Sequence, residues 1–239
     1  FMRGAAGRLE AILHDGELSF ESAARRRNGQ QFPTEVSTKR VDSPGGPLIV
    51  AIIRDISDSK AAQAQLTHLA FHDGLTGLSN RAAFDERLRI ATADARRHGD
   101  LLGLAYLDLD RFKPVNDQFG HETGDAVLIA VSQRLFASVR EQDVVARLGG
   151  DEFVVLLPRL HSVDELDCVA ERLLSEVRRP IEACGNDCVV DASIGFAVYD
   201  PEHDDPRSLV VKADVAMYAA KRDPEHPWLL WNDSMGTTS

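Results

Sequence analysis

Cysteine is scarce in this sequence: three residues in 239, at Cys168, Cys184 and Cys188. An odd count without a Cys-x-x-Cys pair excludes a disulfide framework and argues against a zinc site. It leaves small apolar side chains suited to the reducing cytoplasm. Long apolar runs are missing too, and none approaches the roughly 20 residues of a membrane-spanning helix. No signal peptide precedes the first helix-like stretch. Positive charge is outnumbered, with 27 Lys and Arg against 38 Asp and Glu and a net charge of −11. That balance argues against a nucleic-acid polymer as partner, because such binding needs Lys and Arg to displace counterions. It leaves nucleotides open, since acidic sites bind them through a divalent metal. What is present is ordinary for a soluble globular chain with a buried core: 44% hydrophobic and 27% charged residues. The length suits one large domain, or one of usual size plus a fragment of another. The opening Phe1-Met2-Arg3 reads as a cut inside a longer protein. A membrane anchor upstream is therefore left open, while this fragment itself is expected to make no membrane contact.

The chain divides near residue 57. Before it, ELSFESAARRRNGQQFPTEVSTKRV gives two strand-like runs joined by Asn28-Gly29, a strong hairpin signal. PLIVAIIRDIS gives a third run after the Pro44-Gly45-Gly46 turn. Residues 1–13 are predicted to form a short helix. Residues 1–56 resemble the C-terminal part of a PAS sensor domain, whose last strand commonly ends in an Asp-Ile-Thr-like signature. Here that signature reads Arg54-Asp55-Ile56-Ser57. A generic three-stranded meander is the rival reading. Residues 57–72 combine strong helix formers with apolar spacing at Ala62, Leu66, Leu69 and Ala70. They read as a connecting helix that either pairs with its twin as a short coiled coil or packs on its own domain.

Residues 73–232 alternate between helix and strand patterns, and 233–239 are left as a tail. Ser79 or Asn80 caps a helix running to about Arg97. LLGLAYLDLD is a nearly continuous apolar strand, as expected when both faces are covered. A helix is predicted from about Gly124 to Val139, followed by a hairpin with Gly149-Gly150 as its turn. Further helices fall over 162–178 and 206–221, with strands near 186–199 and in PWLLW. The fold class is α/β, with hairpins that require antiparallel pairing.

Two stretches carry chemistry. RLGGDEFVVLL, 147–157, sets bare glycines beside consecutive acids at a hairpin tip. Glycines admit close approach of a ligand, and alternation points Asp151 and Glu152 to opposite sides. The combination suits a cation or a phosphate-bound metal; the plain alternative is a solvated acidic turn. YLDLDRFKPVNDQFGHETGDAVL, 106–128, ends a strand with Asp108 and Asp110 on one side and Leu109 on the other. Lys113 follows, suited to phosphate oxygens. Asn116 and Asp125 offer what a guanine edge requires, an amide for O6 or N7 and a carboxylate for N1–H and the exocyclic amine. Each residue alone has an ordinary explanation as turn former, strand-end acid or helix-start charge. Their joint presence with Gly149-Gly150-Asp151-Glu152 weakens the ordinary explanations.

These residues resemble the GGDEF domain, the diguanylate cyclase family, over about 68–222. The pattern Asp-x-Leu-Thr-Gly-Leu-x-Asn-Arg is met by Asp73 to Arg81. Asp-x-Asp-x-Phe-Lys-x-x-Asn-Asp-x-x-Gly-His-x-x-Gly-Asp runs unbroken from Asp108 to Asp125. The signature is Gly149-Gly150-Asp151-Glu152-Phe153, after Arg147. The resemblance implies a nucleotidyl-cyclase or palm-like sheet of about five strands with helices on both faces. It implies joining of two GTP into cyclic di-GMP with release of two pyrophosphates, by a homodimer whose two domains face each other. By position, Asp108, Asp151 and the Leu109 carbonyl would hold Mg2+, with Mn2+ as an alternative, and Glu152 would be a further ligand or the base. Phe112, Lys113, Asn116, Asp125, Gly149, Gly150 and Lys221 would contact GTP. Arg140, nine residues before Gly149, and Asp143 match the family's Arg-x-x-Asp inhibitory site for cyclic di-GMP.

The resemblance fails after the last helix. Family members continue Ala-Lys-x-x-Gly-Arg-Asn, whereas this chain reads Ala220-Lys221-Arg222-Asp223-Pro224-Glu225-His226. Glu225 stands where a phosphate-binding Arg is expected, and a carboxylate repels a triphosphate. Three readings follow: a product-inhibited cyclase, a catalytically weak module that binds GTP or cyclic di-GMP to regulate a neighbour, and a structural relay.

Overall fold

The computed structural model describes residues 14–237, so the helix expected at 1–13 lies outside the described residues. The chain forms two compact units that divide between His68 and Leu69. In the first, β1 (Glu17–Arg25), β2 (Gln31–Val41) and β3 (Leu48–Asp55) make an antiparallel sheet in that order. The Asn28-Gly29 signal falls in the loop 26–30. Gly29 adopts φ +86° there and donates its N–H to the Arg26 carbonyl at 2.9 Å. β3 exposes every one of its residues. The helix α1 (Ser57–Phe71) starts where the Asp55 carboxylate accepts the Ser57 N–H at 3.0 Å.

In the second unit, the Asn80 side chain accepts from Ala83 N–H at 3.1 Å and so caps α2 (Arg81–His98), which Gly99 ends at φ +73°. The strand β4 (Leu101–Asp110) follows, then α3 (Phe112–Phe119) and α4 (His121–Ser138). Next come β5 (Val144–Gly149), β6 (Glu152–Leu160), α5 (Glu165–Arg178), β7 (Ile181–Ala183), β8 (Asn186–Cys188) and β9 (Asp191–Val198). The unit closes with α6 (Pro206–Lys221) and β10 (Trp228–Leu230). Asp205 and Ser208 cap α6 reciprocally, with Pro206 where a missing N–H costs nothing.

The five-stranded sheet has the order β10-β9-β4-β6-β5, antiparallel except for the β9–β10 pair. Alternation along β4 divides the core into two layers. Leu102, Leu104 and Tyr106 meet Phe84 and Leu88 of α2 and Leu209, Ala213 and Met217 of α6. Ala105, Leu107 and Leu109 meet Val127, Val131 and Leu135 of α4 and Leu166, Ala170 and Leu173 of α5. Each large side chain buried in this way contributes on the order of 2 kcal/mol.

Two boundaries differ from the sequence reading. The segment after Asp110, where the sequence reading places no helix, is the helix α3. Its Pro114 lies in the first turn, where proline is tolerated. Gly120, at φ +86°, separates it from α4, which therefore begins at His121 rather than Gly124. The signature turn is Gly150-Asp151, because Gly149 still pairs with Glu152. The sequence reading also missed β7, whose hairpin with β8 turns at Cys184-Gly185 with φ of 51° and 78°.

Candidate active site

Two central strands bring the acids together. Asp108 of β4 stands directly opposite Glu152 of β6, so both carboxylates belong to the α2/α6 side of the sheet. Asp151 lies in the turn itself, and its carbonyl accepts the Leu109 N–H at 3.2 Å. Strand alternation predicts Asp151 and Glu152 on opposite sides, but only Glu152 lies in a strand, so alternation does not place Asp151. Asp110 accepts the Ser193 hydroxyl at 2.7 Å. Burial pushes the Asp108 carboxyl above its ordinary range. Lys221 pulls against that shift, and Asp151 and Asp110 add to it. The Lys221 ammonium ion-pairs with Asp108 at the end of α6. Burial opposes its charge, but Asp108, Asp110 and Asp151 together raise its pKa.

A residue the sequence reading passed over lies below this cluster. Tyr106 is buried on the same face of β4 as Asp108. Burial first, then the charges of Glu152 and Asp214, push its pKa up to about 12. The only signal available was its position two residues before Asp108 on the same strand face.

The glycine turn is clamped. Arg147 donates through Nε and Nη2 to the Gly150 carbonyl at 2.9 and 2.8 Å. Its Nη1 donates to Asp73 at 2.9 Å, and the same carboxylate accepts the Thr76 N–H and hydroxyl. Burial works against the Asp73 charge, yet Thr76 and Arg147 hold its pKa below the usual value. Gly150 adopts φ +52°, a conformation that side chains rarely accept.

The predicted guanine readers lie on the other side of the sheet. Phe112 is buried, Lys113 is exposed in the first turn of α3, and Asp125 is exposed on α4. The Asn116 carboxamide lies over Gly124, where an added Cβ would stand 1.9 Å from its oxygen. Gly124 therefore makes room for Asn116. Beyond α6, the Arg222 guanidinium lies over the Tyr218 ring at 5.8 Å. Asp223 pairs with His226 at 2.8 Å and accepts the Glu225 N–H at 3.1 Å, leaving the Glu225 side chain exposed.

Arg140 and Asp143 lie between α4 and β5, about 20 Å by strand rise from the Gly150 turn. The Asp143 carboxylate accepts the Arg140 backbone N–H at 2.8 Å. Burial raises its pKa, against the pull of Arg140 and Arg172.

Among the described residues, no three His, Cys, Asp or Glu side chains are gathered into a metal cage. The donor set still fits Mg2+, which takes one or two carboxylates and keeps its remaining positions for water and substrate phosphates. Asp108 and Asp151 are donors of that kind, and the repulsion between their charges is one that a cation would relieve.

A mixed five-stranded sheet with helices on both faces and acids at its central strand end defines a palm-like fold. The model of the diguanylate cyclase GGDEF domain matches residues 70–226, and the chain belongs to that family. It is 45% identical over 161 residues to the diguanylate cyclase TpbB of Pseudomonas aeruginosa, a match covering 66% of this chain and 37% of TpbB. The solved GGDEF domain of TpbB superposes with a TM-score of 0.66 at 42% identity, over 69% of this chain and 96% of that one. The coiled coil and GGDEF domain of DgcB from Caulobacter crescentus, solved with cyclic di-GMP, gives 0.66 at 32% identity, over 74% and 92%.

Proposed function

We propose that the chain is a diguanylate cyclase that condenses two GTP into cyclic di-GMP and two pyrophosphates. The observation that carries this reading is the register of β4 and β6, which sets Asp108 against Glu152 beside the Asp151 turn. In each of two identical events, a ribose 3′-oxygen bonds to the α-phosphorus of the other nucleotide. The bond to the bridging oxygen breaks, and pyrophosphate leaves. When bound by Asp108, Asp151 and the Leu109 carbonyl, Mg2+ or Mn2+ supplies charge neutralisation at the α-phosphate and acidity at the 3′-hydroxyl. Glu152 is the third acid of the site, as a ligand or as the proton acceptor. Lys113 and Lys221 neutralise the triphosphate, and Asn116 and Asp125 recognise guanine. Gly149 and Gly150 keep side chains away from the nucleotide. One GTP per domain completes neither bond, so two domains act as a homodimer about a two-fold axis. Cyclic di-GMP binding at Arg140 and Asp143 inhibits, and residues 1–56, as a PAS-like sensor fragment, bias the dimer through the helix 57–72.

A second reading, a module that binds without turnover, is favoured by Glu225 and by Arg222, which stacks on Tyr218 rather than replacing the expected phosphate-binding Arg. Incubation with GTP and Mg2+, followed by chromatography of the nucleotides, decides between them. Cyclic di-GMP should form with the natural chain and not with Asp108→Asn. No product from the natural chain, with GTP binding retained, selects the second reading.

A further inference from the structure

The Arg140 guanidinium already has an anion. Glu165, the first residue of α5, ion-pairs with it through Oε1, while Oε2 accepts the His161 N–H at 3.0 Å. Both carboxylate oxygens are engaged, and the Glu165 side chain is only 15% exposed. The His161 N–H, and Arg140 after it, hold the Glu165 pKa below the usual value against the cost of burial. Asp143 does not compete for this guanidinium, since it takes the Arg140 backbone N–H instead. Arg172, whose Nε is buried without a hydrogen-bond partner, adds positive charge beside Asp143.

Resting on the inhibitory-site reading above, we propose that Glu165 is an internal competitor for Arg140, which cyclic di-GMP must displace before it can bind. The Arg140 guanidinium carries five N–H donors, and Glu165 engages it through Nη2. While that pair stands, a phosphate or guanine edge that approaches Nη2 has to replace the Glu165 carboxylate to form a bidentate contact there. The exchange replaces one anion by another, so ligand affinity is reduced by the worth of the Glu165–Arg140 pair. For a pair partly open to water, that worth corresponds to a factor of about two to five. The residue at 165 thereby sets the product concentration at which feedback begins.

The test is calorimetric titration of cyclic di-GMP into the full chain, its Glu165→Gln variant, Arg140→Ala, and the double variant. Glutamine keeps an oxygen for the His161 N–H and loses the charge. Glu165→Gln should therefore bind about two- to fivefold tighter than the natural chain. In the Arg140→Ala background the same change should bring no gain. Equal or weaker binding by Glu165→Gln overturns the competition while leaving the inhibitory site standing. So does an equal gain without Arg140, which reflects general charge repulsion. If neither the natural chain nor Glu165→Gln binds cyclic di-GMP, the inhibitory-site reading fails and the competition with it. Melting curves accompany the titrations, and Glu165→Ala replaces the glutamine variant should that one unfold.

Discussion

Replacing Arg147 by alanine removes three hydrogen bonds at once, two to the Gly150 carbonyl and one to Asp73. The arginine side chain is 10% exposed and that of Asp73 22%, so water replaces the lost partners poorly. Breaking a fully buried pair typically costs 3–5 kcal/mol, and partial exposure here reduces that to about 2–3 kcal/mol. For a unit of this size, each kcal/mol lowers the melting temperature by about 2–4 °C. A loss of about 5–10 °C at pH 7 is expected, read by circular dichroism or scanning fluorimetry. The pH dependence has a definite sign. The Asp73 pKa is lowered by folding, so its contribution is full above the unfolded value near 3.9. It is lost as pH falls through the depressed native value. The gap between Arg147→Ala and the natural chain should therefore narrow in strong acid. Asp73→Asn combined with Arg147→Ala should cost less than the sum of the single changes. A melting temperature within 1 °C of the natural chain, or strictly additive losses, would refute the clamp.

Gly124→Ala should weaken GTP binding at least tenfold in a titration while leaving the melting temperature nearly unchanged. The new methyl displaces Asn116 even though alanine favours the helix by about 1 kcal/mol. Asp125→Ala should lower affinity for GTP far more than for ATP, because guanine presents its N1–H and exocyclic amine as a pair of donors to that carboxylate and adenine offers no such pair. Equal losses in calorimetry would make Asp125 a structural residue. Specific activity should fall steeply on dilution as facing domains separate. A flat profile from a species that light scattering identifies as a monomer would exclude the dimer mechanism.

Much of this architecture is written locally. Asn80, Gly99 and the Asp205-Pro206 start announce helix ends by their own chemistry, and LLGLAYLDLD announces a strand covered on both faces. The helix α3 escaped because Pro114, Asn116 and Asp117 are turn formers by propensity. Packing of Phe112 and Val115 into the core overrides that preference. The Gly150-Asp151 turn was displaced by one residue because either pair of neighbours satisfies a tight hairpin, and only the register with β6 decides. Site acids were legible by pattern. Their supports were not, since Arg147 meets Asp73 across 74 positions, Lys221 meets Asp108 across 113, and Glu165 meets Arg140 across 25. Contacts of that kind belong to the tertiary structure and leave no spacing in the chain.

The strand β4 separates two layers that share no side chains, yet the proposed ligand belongs to both. On the proposed reading its phosphates meet the carboxylates on the α2/α6 side through the bound cation, and its base meets Asn116 and Asp125 over the α4/α5 layer. A bound nucleotide therefore acts as a staple across the end of the sheet. Opening of either layer would have to release it. Amide hydrogen exchange should accordingly slow in α2 and α6 as well as in α3 and α4 when GTP is added, although no single helix touches the whole nucleotide. Guanosine, which lacks the phosphates, should protect only the α3–α4 side.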